Sequence, residues 1–165
     1  MALQPAVTDI EILKVRPAVA CLLAGMPQAL QAAKFDRDEL TLWIEPVYLL
    51  DALKLLRNTS STSFEYLADI TSLDWFPSEP RFEVVYSLLS YQRRERLRIK
   101  VKLNGADPCV DSVTSLWPGA EIFECEIYDL MGIRFQGHPD LRRIMLPDDW
   151  QGHPLRKDYP VEGYR

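Results

Sequence analysis

Two histidines, each inside a Gly-His-Pro triplet, are the first candidates for chemistry in this chain. His138 and His153 lie fifteen positions apart, and two imidazoles raise the question of a metal site. They are too few for a closed zinc site, and the proline after each ring commits the chain to an extended path. We therefore predict no metal site. We expect each triplet to form a turn whose histidine is hydrogen-bonded locally or across an interface.

A stand-alone enzyme would need paired carboxylates and a general base. The candidates are Asp148 beside Asp149, Glu124 near Glu126, and His138 as the base. Neither a paired nucleophile nor a glycine-rich phosphate loop accompanies them. The sequence therefore predicts no catalytic residue, an expectation that activity in the isolated chain would overturn.

The three cysteines are far apart and odd in number, and none belongs to a Cys-X-X-Cys pair. They are Cys21, Cys109 and Cys125. Such spacing argues against a disulfide framework, a zinc ribbon and a self-contained iron–sulfur site. We expect three reduced cysteines in an intracellular protein.

The chain as a whole has the balance of a globular protein of one domain. It has 165 residues, of which 47% are apolar and 26% charged, which is enough to bury a core. The formal net charge of −5 gives no overall attraction to nucleic acid or to anionic lipid. No basic stretch before an apolar run marks a signal peptide, and no window approaches the ~20 apolar residues of a spanning helix. We expect membrane attachment only through another subunit.

Hydrophobic periodicity predicts helices and strands from the N-terminus as far as Gly132. The predicted helices are Ala18–Gly25, Pro46–Arg57 and Gly119–Met131, and the predicted strands are Ala29–Phe35, Leu40–Ile44, Phe64–Ile70, Arg81–Tyr91 and Arg96–Leu103. Gly132 is expected to close the third helix in a left-handed conformation. This order is typical of an α+β domain with a small mixed or antiparallel sheet and helices on one face. Glu124 and Asp129 are expected away from the apolar face of the third helix.

The last predicted strand alternates apolar and basic residues. Its apolar set is Leu97, Ile99, Val101 and Leu103, and its basic set is Arg96, Arg98, Lys100 and Lys102. The basic side is either a solvated outer face, which antiparallel sheets often have, or a docking surface for an acidic partner. Nucleic acid is the least favoured ligand, because no aromatic residues are interleaved and the chain is acidic.

The periodicity stops at Ile133, and prolines recur from there to the C-terminus. The residues that block helix continuation are Pro139, Pro147, Pro154 and Pro160. The segment is nevertheless rich in aromatic and aliphatic residues, unlike a disordered tail, and its arginines alternate with aspartates, which suits an interface. We predict an α+β domain at 1–132 and a long, extended, irregular tail at 133–165 that binds a partner.

Motifs in the second half of the chain look like those of one known family. They are Glu124-Cys125-Glu126-Ile127-Tyr128-Asp129-Leu130-Met131-Gly132, Gly137-His138-Pro139-Asp140-Leu141-Arg142-Arg143-Ile144 and Gly152-His153-Pro154-Leu155-Arg156-Lys157-Asp158-Tyr159-Pro160. Upstream, 67–71 and 81–86 are also similar. The set covers about residues 64–160. It resembles the thirty-kilodalton subunit family, also called the C subunit family, of NADH:quinone oxidoreductase, which is respiratory complex I.

Two positions depart from the family pattern. Cys125 stands where the family usually has arginine, and Met131 replaces a common phenylalanine. The second exchange is mild because both side chains are apolar. The first removes a fixed positive charge with five donors, so we expect another residue, with Arg134 as the candidate, to brace Glu124 and Glu126.

The resemblance implies a structural role in a large enzyme. A member of this family lies in the peripheral arm, on the cytoplasmic side of the bacterial inner membrane, as a peripheral membrane protein. It binds no cofactor of its own, whereas the complex uses NADH, FMN, iron–sulfur clusters and quinone for electron transport coupled to proton translocation. The implied neighbours in this hetero-oligomeric complex are the forty-nine-kilodalton-type subunit (the D subunit) and the cluster-bearing B subunit.

The same resemblance implies which residues face those neighbours. The predicted interface set is Glu124, Glu126, Asp129, Gly132, His138, Pro139, Asp140, Arg142, Arg143, His153, Pro154, Arg156, Lys157 and Asp158. The alternative is the equivalent subunit of a membrane-bound hydrogenase or an F420H2 dehydrogenase, which the electron donor of the purified complex distinguishes. A scaffold in an unrelated assembly would be separated by its co-purifying subunits.

Overall fold

The computed structural model describes residues 5–163, which contain four α-helices and seven β-strands. The helices are α1 (Ile10–Leu13), α2 (Pro17–Gly25), α3 (Leu49–Asn58) and α4 (Ala120–Met131), with short 3-10 turns at Pro27–Ala29 and Pro46–Tyr48. The strands are β1 (Leu30–Asp36), β2 (Glu39–Ile44), β3 (Tyr66–Asp74), β4 (Phe82–Ser90), β5 (Glu95–Leu103), β6 (Cys109–Asp111) and β7 (Arg134–Gln136). None of the described helices has the length and apolar character needed to cross a bilayer.

Five of the strands form a mixed sheet in the order β1-β2-β5-β4-β3. Strand β1 runs antiparallel to β2, and β2 runs parallel to β5. Strands β6 and β7 form a separate parallel pair. The predicted α+β class with a mixed sheet is confirmed.

The described residues divide into two compact units, of which unit 1 contains the chain through Asp69 together with Val85–Val101. Its core includes the apolar stripe that helical spacing predicts for α3, since Leu49, Leu53 and Leu56 are fully buried. Helix α3 packs against α2, so the two helices close this core together.

Unit 2 contains Ile70–Val84 and the described residues from Lys102 onward. Its fully buried side chains include Phe82, Val113 and Ile133. Helix α4 ends at Gly132, whose φ of 69° and ψ of 27° are left-handed, as predicted. The whole predicted interface set lies in this unit.

The alternation predicted for β5 is confirmed. The apolar side is buried and comprises Leu97, Ile99, Val101 and Leu103. On the basic side, Arg98 forms an ion pair with Glu39 at 2.6 Å, and Nζ of Lys100 lies 5.5 Å from the centre of the Trp43 ring. Residues of β2 therefore engage two of the basic side chains.

Four elements differ from the sequence expectation. Strand β6 is absent from the prediction, because three residues are too few to establish a period. Helix α1 is absent from the prediction, because a single turn carries too little periodicity. Strand β3 continues to Asp74, beyond the predicted end at Ile70, because polar residues between them dilute the apolar pattern. Strand β7 lies in the segment predicted to be irregular, since its partner β6 is distant in sequence and a local pattern does not contain that pairing.

Residues 137–163 contain no helix or strand. Gly137 and Gly152 both have a φ of 80°, a backbone angle that suits glycine, so the two Gly-His-Pro triplets change the chain direction as predicted. Tyr164 and Arg165, the last two residues of the predicted tail, lie outside the described residues.

Candidate partner interface

Two acidic residues of α4 are buried in unit 2. Glu124 and Asp129 are 0% exposed, although helical spacing places both outside the apolar face of the helix. A carboxylate leaves water at low cost only when hydrogen-bond donors replace its hydration. Segments outside α4 supply those donors, and the two carboxylates therefore hold these segments against the helix.

The carboxylate of Asp129 anchors the segment that follows β7. Its Oδ2 accepts hydrogen bonds from the consecutive backbone amides of Ile144, Met145 and Leu146, at 3.0, 2.8 and 2.9 Å. Its Oδ1 accepts one from Nη1 of Arg143 at 2.6 Å. Burial raises the pKa of Asp129, but these donors outweigh burial and hold the pKa below its usual value. One side chain thus fixes four successive residues.

The same segment caps the C-terminal end of α4. A helix leaves its last carbonyl groups without intrahelical donors. The amide of Leu155 donates to the carbonyl of Leu130 at 3.1 Å. Arg156 donates through Nε to the carbonyl of Met131 at 2.6 Å and through Nη2 to that of Gly132 at 3.3 Å. The tail therefore provides donors that the helix itself lacks.

His153 completes this cap. Its Nδ1 lies 2.8 Å from the carbonyl oxygen of Asp129, and a carbonyl only accepts, so Nδ1 carries the proton. Burial lowers the pKa of His153, and the charges of Arg156 and Arg143 lower it further. The ring is therefore neutral at neutral pH and bonded locally, as the sequence predicts for a histidine of this triplet.

Gly132→Ala is expected to destabilise the protein by about 2–3 kcal/mol. A left-handed backbone alone penalises a Cβ by about 1–2 kcal/mol. The added Cβ would also lie 2.5 Å from two ring atoms of His153 and 2.6 Å from Nη2 of Arg156. Urea denaturation measures the loss. The matched control is Gly119→Ala, where a Cβ meets no atom within 4 Å, and an equal loss in both variants would disprove the close packing on Gly132.

The guanidinium of Arg81 is a second anchor, because it bridges two aspartates. Its Nε and Nη2 donate to Asp74 at 2.9 and 2.8 Å. Its Nη1 and Nη2 donate to Asp158 at 2.8 and 2.6 Å. The amide of Lys157 also donates to Asp74, at 2.9 Å. The tail thus completes a pair in which the Asp74 side chain is only 1% exposed.

All three groups of this bridge stay charged at neutral pH. Burial opposes ionisation of Asp74, yet hydrogen bonds from Arg81, Lys157 and Phe76 lower its pKa to about 2. The Arg81 guanidinium also lowers the pKa of Asp158, and the two carboxylates raise the pKa of Arg81. Paired N–H···O bonds of this kind fix geometry as well as adding energy.

The first Gly-His-Pro triplet packs on α4. Nδ1 of His138 accepts a hydrogen bond from the amide of Asp140 at 3.0 Å, so Nε2 carries the proton and donates to the carbonyl of Glu121 at 3.2 Å. Sγ of Cys125 lies 3.7 Å from the same Nε2 and 3.5 Å from the carbonyl oxygen of Asp140. The thiol is buried and fills the contact between the helix and this turn.

Arg134 does not brace Glu124 and Glu126, so that expectation is wrong. Its Nη2 forms an ion pair with Asp107 at 2.5 Å, and both side chains are mostly exposed. The reason is the pairing of β7 with β6, which places Arg134 beside the residues that precede β6. Glu124 is braced instead by the backbone amide of Val113, which donates to Oε1 at 2.8 Å.

Glu124→Gln is expected to remove one pH dependence of stability. Burial raises the pKa of Glu124 despite hydrogen bonds from Ser112 and Val113, and Oε2 has no hydrogen-bond partner among the described residues. A folded pKa above the unfolded one means that the folded state binds the proton more tightly, so stability falls as the pH rises through the folded value. Glutamine abolishes this fall.

The measurement for Glu124→Gln is the unfolding free energy of variant and parent from acidic to neutral pH. As the pH rises, the unfolding free energy of the variant is expected to increase relative to that of the parent. The difference between the two proteins isolates this group from Asp74 and Asp129, whose lowered pKa values act in the opposite direction. Parallel curves would rule out a buried carboxyl group with a raised pKa.

The sequence of unit 2 and of much of unit 1 is shared with a known family. The family described as "Respiratory-chain NADH dehydrogenase, 30 Kd subunit" matches residues 42–165. This chain belongs to that family. The resemblance drawn from the α4, Gly-His-Pro and closing motifs is therefore confirmed.

Relatives within this respiratory-chain family agree with the chain over most of its length. The C subunit of NADH-quinone oxidoreductase from Roseiflexus sp. (strain RS-1) is 42% identical over 140 residues, which are 85% of this chain and 80% of that protein. The C subunit from Geobacter sulfurreducens is 44% identical over 128 residues, 77% of this chain and 78% of that protein. A Candida albicans protein named NADH dehydrogenase (ubiquinone) iron-sulfur protein 3, mitochondrial, is 42% identical over 87% of this chain and 51% of its own length.

Two solved structures share the fold of this family member. One is the trypsin-resistant fragment (1-134) of Nqo5. Its TM-score to this chain is 0.52, and it is 32% identical over 62% of this chain and 83% of that one. The other belongs to the membrane-bound sulfane sulfur reductase, an archaeal respiratory membrane complex. It has a TM-score of 0.73 over 92% of this chain and 85% of that one, and at 24% identity it shows a common fold alone.

The name of the Candida albicans relative raises the question of an iron–sulfur cluster in this chain. Such clusters are held by cysteine thiolates. The three cysteines are free, and residues 5–163 bring no group of three histidine, cysteine, aspartate or glutamate side chains together for a metal. The described donor set does not fit a cluster.

The predicted interface residues of this family member fall into three groups that differ in solvent exposure. Glu124 and Asp129 are buried. The half-buried ones are Gly132, His138, Arg143, His153, Pro154 and Arg156, and the exposed ones are Glu126, Pro139, Asp140, Arg142, Lys157 and Asp158. Sequence reasoning missed Asp74 and Arg81, because an ion pair completed by a distant aspartate leaves no local signal.

Large apolar side chains are exposed in unit 2, and most of them lie in the tail. The exposed fractions are 62% for Met145, 55% for Leu155 and 42% for Trp150. A groove of about 230 Å³ is lined in part by Leu73, Trp75, Met131 and Leu155. Arg143, Arg156 and Asp158 thus bond to other parts of the unit, while Met145, Trp150 and Leu155 face solvent. Exposed apolar side chains of this size mark interaction surfaces.

Proposed function

We propose that this chain is a non-catalytic structural subunit of the peripheral arm of NADH:quinone oxidoreductase, or complex I. The complex passes electrons from NADH through FMN and iron–sulfur clusters to quinone and couples this transfer to proton translocation. Membership in the respiratory-chain NADH dehydrogenase family supports this placement. The contribution of the chain is geometry, because electron transfer requires fixed spacing between the subunits that carry the cofactors.

We assign no cofactor to this chain. Support comes from the positions of its cysteines, of which Cys125 is engaged between α4 and the turn at His138. The histidines support it too, since each is bonded to backbone groups of its own unit. The flavin and the clusters then belong to other subunits of the complex.

The proposed contact with the forty-nine-kilodalton-type subunit (the D subunit), near the cluster-bearing B subunit, is the outer face of the tail. The single observation that carries this proposal is the polarity of that segment. Asp129 and Arg143 fix the backbone from inside, and the side chains of Met145 and Trp150 remain in solvent. An apolar surface already held in one conformation binds without the ordering cost of a disordered tail.

The predicted interface residues then have two roles. Glu126, Pro139 and Arg142 are exposed and supply a polar rim around the apolar contact. Asp129 and Arg143 position the tail without touching the partner, together with His153 and Arg156. In this arrangement the chain is a peripheral membrane protein on the cytoplasmic side of the bacterial inner membrane, held there by other subunits.

The test is co-purification of the forty-nine-kilodalton-type subunit with the paired variant Met145→Asp and Trp150→Asp. Two carboxylates in an apolar contact must be desolvated, so we expect recovery of the partner to fall by about tenfold. The matched control is Val15→Asp with Val47→Asp, because both valines are exposed in unit 1. Unchanged recovery with the tail variant, at unchanged thermal stability, would refute the proposed contact.

The identity of the enzyme is tested separately from the docking surface. The purified complex is offered NADH, reduced F420 and hydrogen as electron donors, and we expect turnover with NADH. Turnover only with hydrogen or reduced F420 would assign the chain to a related membrane-bound complex and leave the tail contact intact.

A further inference from the structure

Unit 1 contains a cleft that takes no part in the proposed docking of the tail on a partner subunit. It has a volume of about 410 Å³ and is bounded by the first residues of α2, the β1–β2 turn and the β4–β5 turn. Four arginines line it, which are Arg16, Arg37, Arg94 and Arg96. The chain as a whole has a net charge of −5, so this positive charge is a local concentration.

No carboxylate among residues 5–163 lies within ion-pair distance of the four guanidinium groups. Arg37 has only a longer-range electrostatic interaction with Asp36, whose carboxylate Lys34 already binds at 2.9 Å. The glutamates at the rim are already engaged, Glu39 by Arg98 at 2.6 Å and Glu95 by Arg93 at 3.1 Å. Asp38 is the remaining carboxylate among the described lining residues. Positive charges gathered in one cleft repel each other and attract an anion. The cleft therefore lacks a counter-ion for its arginines.

Two of these arginines occupy turn positions whose backbone favours glycine. Arg37 and Asp38, the two residues between β1 and β2, have φ values of 52° and 62°. Arg94, the last residue before β5, has a φ of 55°. Glycine and asparagine adopt such angles with least strain. The chain instead places guanidinium groups there, at a conformational cost.

The remaining wall of the cleft is apolar and contains aromatic rings. Phe35, Leu40 and Phe64 line it, and the guanidinium of Arg16 lies 3.8 Å from the centre of the Phe35 ring. Guanidinium groups bind phosphate oxygens in pairs and stack on planar rings. Small-molecule sites combine an apolar wall with a few convergent polar groups, which is the composition found here.

We propose that this cleft binds a small soluble molecule that carries phosphate groups next to an apolar or aromatic moiety. Arg37, Arg94 and Arg96 hold the phosphates, and Phe35 with Arg16 faces the apolar part. A lipid headgroup offers the same phosphate chemistry, so the experiment includes both sources. The site lies in unit 1, outside the predicted interface set, and does not depend on the proposed function.

The experiment is calorimetric titration of the full chain with ATP and with inorganic triphosphate, beside flotation with phosphatidylglycerol vesicles. We expect saturable binding of ATP, weakened by about tenfold in the double variant Arg37→Gln with Arg94→Gln. The control is Lys14→Gln with Lys54→Gln, which removes the same charge from unit 1 outside the cleft. It should bind ATP as the parent does.

Binding of ATP or triphosphate that is lost in the cleft variant and kept in the control supports the site. Binding of the vesicles alone overturns the soluble ligand and assigns the phosphate chemistry to a lipid headgroup. No binding of any of the three probes, or equal weakening in variant and control, overturns the proposal altogether. If the double variant does not fold, Arg96→Gln is compared with Lys14→Gln in the same titration.

Discussion

Asp129→Asn is expected to remove about 3–5 kcal/mol of folding free energy, the cost of leaving a buried charge without its counter-ion. Asparagine keeps the volume of the side chain but cannot serve both sets of donors. If its oxygen faces the amides of Ile144, Met145 and Leu146, its NH2 group faces Arg143, and donor meets donor. The measurement is urea denaturation of the isolated chain.

The control for Asp129→Asn is Glu126→Gln, which removes one carboxylate charge from an exposed position of the same helix. A substitution of this kind at a solvent-exposed position changes the free energy of unfolding little. Limited proteolysis within 137–163 provides a second readout, and cleavage should rise only in Asp129→Asn. Equal stability of the two variants, or equal resistance to protease, would contradict the anchoring role of Asp129.

Arg81→Met is expected to cost a similar amount, about 3–5 kcal/mol. Methionine retains much of the apolar stem but leaves Asp74 without its bidentate partner and releases Asp158. The folded pKa of Asp74, about 2, lies below its unfolded value, so the pair contributes stability at neutral pH that is lost as the pH falls towards that value. The variant lacks that contribution, and its stability should therefore fall less steeply in acid.

The matched control is Arg93→Met, which breaks an arginine–carboxylate pair of the same chemistry in solvent. Arg93 and Glu95 are 31% and 38% exposed, and exposed pairs contribute little. The unfolding free energies of both variants are measured at neutral and at acidic pH. If Arg93→Met lost as much stability as Arg81→Met, burial would not be the source of the effect.

Elements with one clear periodic face were predictable from the sequence. Strand β5 alternates strictly, and α3 presents an apolar stripe, because burial on one side selects residue types at fixed spacing. Helix α1 and strand β7 are too short to establish a period. Strand β7 also depends on β6, which is distant in sequence, so no local pattern could have indicated it.

The chemistry of the site was predictable only in part. The family motif drew attention to Glu124 and Asp129, but helical spacing placed both carboxylates away from the apolar face and so did not predict their burial. They are buried because Val113 and the 143–146 segment supply donors, and spacing within one helix cannot show donors from elsewhere. The bridge from Arg81 to Asp158 joins residues 77 positions apart, and the motifs that contain these residues give no sign that the two pair.

Contacts within its own unit fix the backbone of the tail more fully than the proline-rich composition of the tail suggests. Hydrogen bonds to the end of α4 and to Asp74 already hold the backbone between Arg143 and Asp158. The proposed partner therefore buries Met145, Trp150 and Leu155, whereas the backbone conformation of the segment is set by its own unit. In the chain alone, these three apolar side chains remain exposed to solvent.

Site-specific photocrosslinking in the assembled complex tests this docking surface most directly. A photoreactive side chain replaces Trp150, and in a parallel sample it replaces Val47 in unit 1. The proposed contact predicts that the Trp150 position forms a covalent adduct with the forty-nine-kilodalton-type subunit and that the Val47 position does not. A probe at Trp150 that reacts only with water, while the complex is intact, would contradict it.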